Sequence, residues 1–384
     1  MTTRQAKDYA IMLLLLFVSG NPVFSGKITH LLAFVFLFVF VKLGHWFNDK
    51  RFIPFLGLFA AIFVIQKFSL HKISILGDFN FMAKFMIAFM VCKELSGRFR
   101  YVYFKVMTFL AAISLVGFAV YVLTGFYIDL ITIGQNHTWV LYGIRIETSK
   151  DYLRNCGAFW EPGAYAGYLC VGFAMFLDNL GNLWRTQKRS FIICVLTLVS
   201  TLSTTGYVIF FMIMAWSLVL RGGRHWVKVV SFPACIVLAL LAFRLDFIGG
   251  KITTQVENAA QYDATSGEVY WDRFGSMVFD WYYIKKHPIA GNGFIFETRY
   301  SDHLYLDEED MGGFGNGFTG IMHSMGVLFM LFYLWKIYEF CPFNKWDRIA
   351  YILIFIMALN CEQFMNYPLF LGYPFLLDKI KVRE

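Results

Sequence analysis

The stretch "VYFKVMTFLAAISLVGFAVYV", Val102–Val122, carries one charge, Lys105, in an otherwise apolar and aromatic run. A helix of that length rises about 30 Å, the thickness of a bilayer's hydrocarbon core. Comparable runs lie on both sides of it: Ile28–Val41, Phe81–Val91, Phe191–Leu202, Val229–Phe243, Gly317–Trp335 and Ile349–Leu359. The chain is 58% hydrophobic and only 16% charged, against roughly 25% charged residues in a soluble domain. The expected fold is an all-α, polytopic integral membrane protein. Barrel strands would alternate apolar with polar residues, which these runs do not.

Spans are expected at 8–25, 28–46, 52–69, 80–96, 101–124, 161–181, 190–203, 205–220, 229–247, 317–338, 349–362 and 368–378, about twelve transmembrane helices in all. Arg4 and Lys7 put the N-terminus in the cytoplasm. Every second loop must then be cytoplasmic. Those loops carry Lys50/Arg51, Lys93/Arg98/Arg100, Arg185/Lys188/Arg189, Arg221/Arg224/Lys228, Lys345/Arg348 and Lys379/Lys381/Arg383, as the positive-inside rule requires. Both termini are expected in the cytoplasm. The first 25 residues resemble a signal peptide and are read as a retained first span.

The net charge of +8 follows from those cytoplasmic loops. No basic patch interleaves with aromatics in a polar region, so nucleic-acid binding is excluded from the reading. The seven cysteines form no C-x-x-C pair and read as packing thiols. Two outer loops are long, 125–160 and 248–316, and long loops usually carry function. The second is acidic: from Lys251 to Asp310, eleven carboxylates face five cations. Short amphipathic helices are expected in these loops. No separate soluble domain stands out, and residues 1–384 read as one membrane-embedded domain.

Four arginines oppose the positive-inside trend: Arg145 and Arg154 in the first outer loop, Arg273 and Arg299 in the second. A guanidinium offers a planar fork of donors suited to phosphate oxygens, so an anionic ligand is expected there. Local ion pairing is the alternative, because Arg145 neighbours Glu147, Arg273 neighbours Asp272, and Arg299 lies near Glu297 and Asp302. Glu161 precedes Pro162 at a helix start. It is read either as a cap favoured by the helix dipole or as a general base. Trp160 and Tyr165 offer faces that anchor the fold or stack on sugar rings. Asp272–Phe294 reads as an amphipathic helix burying Phe274, Met277, Val278 and Trp281, then a His287-Pro288 stop and a Gly-Asn-Gly turn. Asn316 opens a later span, and His323 lies within it, a functional candidate by default. His303 is the other outer histidine able to take a proton. Asp307–Asp310 reads as a solvated acidic run, so no metal site is assigned. No nucleotide-binding motif, H-E-x-x-H or nucleophile elbow occurs.

Arg154, Gly157, Phe159, Glu161, Pro162, Gly163 and Ala166 spell R-x-x-G-x-F-x-E-P-G-x-x-A. This string resembles the Wzy-type O-antigen and capsular polysaccharide polymerases, of the O-antigen polymerase/ligase superfamily. "LSTTGY" (Leu202–Tyr207), Arg273 with "HPIAGNGF" (His287–Phe294), and Asn316 with Gly326 resemble further motifs of that family in the same order. The resemblance covers about 145–335. One departure stands out: Gly315 precedes Asn316 where many members, and the related ligases, have histidine.

The resemblance implies an enzyme of the bacterial inner membrane. Its substrate would be an oligosaccharide repeat unit on undecaprenyl diphosphate. Its reaction would be an inverting, metal-independent and cofactor-free glycosyl transfer at the periplasmic face. The implied partners are that lipid-linked oligosaccharide, membrane lipid and a chain-length regulator protein. Arg154 and Arg273 are expected on the diphosphate, with Arg145, Arg299, Asn316, His303, His323, Trp160 and Tyr165 as further substrate contacts and Glu161 as base. The alternatives are a ligase using the same donor and a transporter of the lipid-linked unit.

Overall fold

The computed structural model describes residues 2–24, 26–40, 49–70, 72, 74–126, 137–139, 144–147, 153–220, 249–261, 272–304, 316–360 and 362–377. The expected span at 229–247 and the acidic run Asp307–Asp310 lie outside the described residues. Helices dominate. α1 (Thr3–Gly20), α2 (Lys27–Phe40), α3 (Ile53–Ser69), α4 (Ile75–Leu95) and α5 (Phe99–Thr124) lie in the first third of the chain. Two helical stretches are long and apolar enough to cross a membrane. One is Ile75–Thr124, in which α4 turns through Ser96–Arg98 into α5; the other is α13, Gly317–Phe340.

The first outer loop differs from expectation. It holds a three-stranded antiparallel sheet, β1 (His137–Trp139), β2 (Ile144–Glu147) and β3 (Arg154–Gly157), in the order β1-β2-β3, where amphipathic helices are expected. These strands are three or four residues long, too short for alternation to be read.

α6 (Pro162–Ala174) follows β3, and every residue in it except Gly163 is buried. Its 13 residues rise about 20 Å, short of a full crossing. The expected span 161–181 is therefore a helix ending in turns before α7 (Leu180–Thr186). α8 (Lys188–Ser200) and α9 (Thr204–Ala215) are similarly short, and α9 continues into a π turn, Trp216–Leu220. The chain reverses between them at Leu202, whose φ is 46°. Downstream lie α10 (Gly249–Gln261), α11 (Arg273–Ile284), α12 (Phe296–Arg299), α13, α14 (Lys345–Leu359) and α15 (Pro368–Leu371). The last expected span, 368–378, is only α15 and the turn Tyr373–Phe375; Tyr373 and Phe375 are buried against Phe355 and Phe85. Prolines 368 and 374 stop a longer helix.

α13 is broken. Gly326 has φ 85° within it, and a loop fills the gap. Asn292 N–H donates to His323 O (2.8 Å), Gly293 N–H to Ser324 O (3.0 Å), and Val327 N–H to Pro288 O (2.8 Å). Gln66 of α3 adds bonds from Nε2 to Ala290 O (2.6 Å) and Ser324 O (2.8 Å). The backbones approach so closely that a Cβ on Gly326 would sit 2.0 Å from Ile289 O, and one on Gly291 2.5 Å from Ser324 C. The "HPIAGNGF" loop is thus a plug that satisfies the freed backbone groups of a discontinuous helix. It also fixes the end of α11, whose start carries Arg273.

Candidate functional site

α11 opens at Asp272, whose carboxylate accepts the Gly275 N–H (2.7 Å) and caps the helix. The buried face is Gly275, Ser276, Phe279, Asp280 and Tyr283, packed against α13. This corrects the expected face. Trp281 is exposed, and Met277, Val278 and Trp281 line an apolar cavity of about 490 Å³ with Phe318, Met322 and Lys285. Small Gly275 and Ser276 let α11 approach α13, and the bulkier side is left outward.

Arg273, at the first position of α11, joins two distant segments. Its Nη2 lies 3.2 Å from Glu161 Oε1, at the mouth of α6, and also pairs with Glu362 Oε1 in the segment after α14. Glu362 is held again by Trp160 Nε1–H, which reaches its Oε2 at 3.4 Å. The Trp160 ring stacks on Tyr367 at 4.4 Å, with Phe364 and Tyr168 edge-on. Its backbone is pinned twice: its N–H donates to Gly20 O (3.2 Å), and its carbonyl accepts from Arg145 Nη1. The Nε of Arg145 is buried and has no partner among the described residues. Glu161, Arg273, Glu362, Trp160 and Arg145 thus meet in one place, two cations and two carboxylates beside an aromatic platform. The Glu161 side chain is 37% exposed and that of Glu362 only 9%. One carboxylate is therefore partly open and the other is a buried counter-ion.

Two packing details hold Glu161 and Glu362 in place. Glu161 is the residue before α6, yet its side chain makes no capping bond. A Cβ on Gly163 would sit 2.8 Å from Glu161 Oε1, so the glycine leaves room for the carboxylate to fold over the helix start. A Cβ on Gly317 would meet Glu362 O at 2.1 Å, so this glycine lets the Glu362 segment press onto α13.

The remaining sequence candidates lie elsewhere. Arg154 is buried on β3. Its Nη1 pairs with Glu147 Oε2 on β2 (2.9 Å), and its Nε donates to Thr201 O (3.1 Å) at the end of α8. Leu202 O accepts from its Nη2 at 3.4 Å. Its donors hold the sheet to the α8–α9 turn. Tyr165 is fully buried; its hydroxyl bonds Ser114 Oγ (2.9 Å) and its ring stacks on Phe159. Asn316 caps α13 through the Phe318 N–H (2.9 Å) and donates to Asn360 Oδ1 (2.6 Å). It is a helix cap that also ties α13 to α14.

His323 and His303 belong to a second cluster under α11. His323 is fully buried, with Nδ1 2.8 Å from Asp280 Oδ1 and Nε2 2.6 Å from Arg299 O. A carbonyl can only accept, so Nε2 carries a proton. The other nitrogen shares one proton with Asp280, and neither is free for a substrate. Asp280 also accepts from Thr319 Oγ1 (2.7 Å). His303 bonds the Tyr283 hydroxyl and packs edge-on against Phe279. Asp302, beside it, accepts from Lys286 and Tyr282, which hold its carboxyl down at about 2. The Arg299 guanidinium lies over the Tyr300 ring, 5.1 Å from its centroid, and its Nε is buried without a partner among the described residues.

Two residues enter that sequence reasoning had assigned no role. Glu362 was visible only as a carboxylate in an outer polar cluster with Gln363 and Asn366. Asp280 is one of the eleven carboxylates counted in the second loop. Its spacing with Ser276, Phe279 and Tyr283 on one helical face was the available signal. No protein-family model, curated protein or solved structure matches this chain.

Proposed function

We propose that this chain is a multi-pass inner-membrane glycosyltransferase, a polymerase that joins oligosaccharide repeat units carried on undecaprenyl diphosphate. It would work at the outer face, with about twelve spans and both termini in the cytoplasm. One observation carries the reading: Arg273 bridges Glu161 and Glu362, so three segments far apart in the chain converge on one charged cluster. Two of those segments hold the strings that resemble the polymerase family. Membrane insertion is supported by the apolar side chains that the helices turn outward, such as Ile28 and Leu32 on α2, Phe68 on α3, and Val116 and Leu123 on α5. In water each would forfeit about 25 cal/mol per Å² of apolar area; in lipid they lose nothing.

The chemistry follows from which groups are open. A diphosphate arriving at Arg273 replaces Glu161 as its partner, with the buried Arg145 guanidinium behind Trp160 as a second positive charge. Glu161, released, accepts the proton of the acceptor sugar's hydroxyl. That oxygen attacks the anomeric carbon from the side opposite the diphosphate. The C–O bond to the diphosphate breaks, and the arginines stabilise the charge that leaves. Glu362 stays as the fixed counter-ion, and Trp160 with Tyr367 offers a stacking face for a sugar ring. Arg154 becomes a positioning residue for the sheet that carries Arg145.

The test is the surface-glycan ladder of a strain lacking the gene, complemented with wild type or with Arg273→Ala. A polymerase leaves one attached repeat unit in the deletion, restored to a ladder by wild type alone. Loss of the attached unit with accumulation of lipid-linked polymer identifies a ligase. An unchanged ladder in the deletion overturns both and returns the transporter reading.

A further inference from the structure

The apolar cavity beside α11 has no part in the charged cluster, yet it begins next to it. Arg273, Met277, Trp281 and Lys285 follow one another at four-residue spacing, a single row along the flank of α11. Met277, Trp281 and Lys285 line the cavity, together with Val278 and Tyr282 from the adjoining row. Phe318, Thr319 and Met322 of α13 form the facing wall. Both walls start at the cluster. Arg273 lies one turn before Met277. Gly317, next to Phe318, is the glycine that lets the Glu362 segment press onto α13. From there the two helices run in the same direction: Asp280 meets Thr319 and His323, and Pro288 O, past the end of α11, takes the Val327 N–H. The cavity is a slot that leads from Arg273 along α11.

Its walls determine what it can hold. Met277, Val278, Trp281, Phe318 and Met322 present hydrocarbon, ring and thioether surface, and flexible methionines fit an irregular, branched chain. The Thr319 hydroxyl is committed to Asp280 and the Tyr282 hydroxyl to Asp302. What remains for a ligand is apolar contact, with one charge at the far end. There the Lys285 stem lines the wall while the residue is exposed. Hydrocarbon pushed past Lys285 would strip water from its ammonium, which is costly, so the slot ends at that residue. From Met277 to Lys285 the helix rises about 12 Å, a length that about three isoprene units span. A lipid whose diphosphate meets Arg273 carries its chain away from that point, and the slot is the apolar surface one turn along. We infer that the slot holds the isoprene units nearest the diphosphate, and that Lys285 limits the reading of the carrier lipid to about three of them. The inference rests on the proposed function, through the diphosphate at Arg273.

The test is titration calorimetry of the purified protein with inorganic, geranyl, farnesyl, geranylgeranyl and undecaprenyl diphosphate. In wild type the affinity rises by about tenfold or more from inorganic to farnesyl diphosphate, as burial of several methylenes requires, and then levels off. Val278→Trp, at a half-buried position, fills the slot without reaching the core. It loses the chain's share and binds inorganic diphosphate as wild type does. Lys285→Leu removes the charge at the far end and moves the plateau on to geranylgeranyl diphosphate. A wild-type affinity that keeps rising from farnesyl to undecaprenyl diphosphate overturns the inference, as does a chain's share retained in full by Val278→Trp. Phosphatidylglycerol that displaces farnesyl diphosphate as readily as undecaprenyl diphosphate does also overturns it, because the slot is then one for ordinary acyl chains. If Arg273→Ala binds the whole series as wild type does while Val278→Trp still loses the chain's share, the slot stands and the assignment of the diphosphate to Arg273 falls.

Discussion

Glu161 and Glu362 share one arginine but differ in exposure, and the proposed mechanism gives them different roles, which glutamine at each position separates. The Glu161–Arg273 pair has side chains 37% and 29% exposed. At that exposure an ion pair is screened and worth about 0–1 kcal/mol. Glu161→Gln therefore leaves stability nearly unchanged. It removes the proposed base, which is worth about 10²–10⁴-fold in rate. Glu362 is only 9% exposed; it pairs with Arg273 and accepts from Trp160. Gln keeps an oxygen for Trp160 but loses the charge facing Arg273, a cost of about 1.5–3 kcal/mol, the worth of a hydrogen bond to a charged group. The assay is polymerisation of a purified lipid-linked repeat unit in detergent, counted as ladder rungs against time at saturating substrate, with thermal unfolding of the same samples. Glu161→Gln loses turnover and keeps its unfolding midpoint; Glu362→Gln loses stability and keeps more turnover than Glu161→Gln. Wild-type turnover in Glu161→Gln, or a larger turnover loss in Glu362→Gln, refutes the division of roles.

Arg154→Ala strips partners from Glu147 and from the carbonyls of Thr201 and Leu202. Breaking a buried pair of this kind costs about 3–5 kcal/mol, so the variant shows a lower unfolding midpoint and lower abundance, with activity per folded molecule closer to wild type. Asp280→Asn can accept from Thr319 and donate to His323 Nδ1, so it stays within about 1.5 kcal/mol of wild type in denaturant titration, whereas Asp280→Ala leaves both partners unsatisfied and costs about 1–3 kcal/mol for each. Gly163→Ala pushes on the free end of the Glu161 side chain, 2.8 Å from the new Cβ; turnover falls while the unfolding midpoint holds. Gly317→Ala meets backbone, the Glu362 carbonyl at 2.1 Å, which cannot swing away, and both measurements fall.

The helices that read clearly from sequence are those whose apolar character runs all the way round or along a full span. Val102–Val122 and Gly317–Trp335 fall inside α5 and α13 because composition alone marks them. The short members of the fold were not legible. α6 reads as a span because it is apolar on every side, but a helix can be so when buried in protein instead of lipid. Strands of three or four residues carry no period. Charge counting misled at Asp280 for a related reason: a sum over the acidic loop ignores which face of α11 each carboxylate occupies. Glu362 was out of reach because its meaning depends on Arg273 and Trp160, residues that only the folded chain brings together.

The strings that resemble the polymerase family now divide into two kinds. The "HPIAGNGF" loop and Gly326 interlock through backbone, and Gly291 and Gly326 are required because a Cβ on either would strike backbone atoms within about 2–2.6 Å. They hold a broken helix together and fix where α11 ends. Arg154 and Asn316 do similar work for the sheet and for α13. Of the charged cluster, Glu161 and Arg273 keep partly exposed side chains, 37% and 29%, while Arg145 and Glu362 are buried. A motif read as chemistry is thus mostly frame around a small charged cluster. Asn316 itself is a helix cap, and the charged cluster is assembled from the mouth of α6, α11 and the segment after α14.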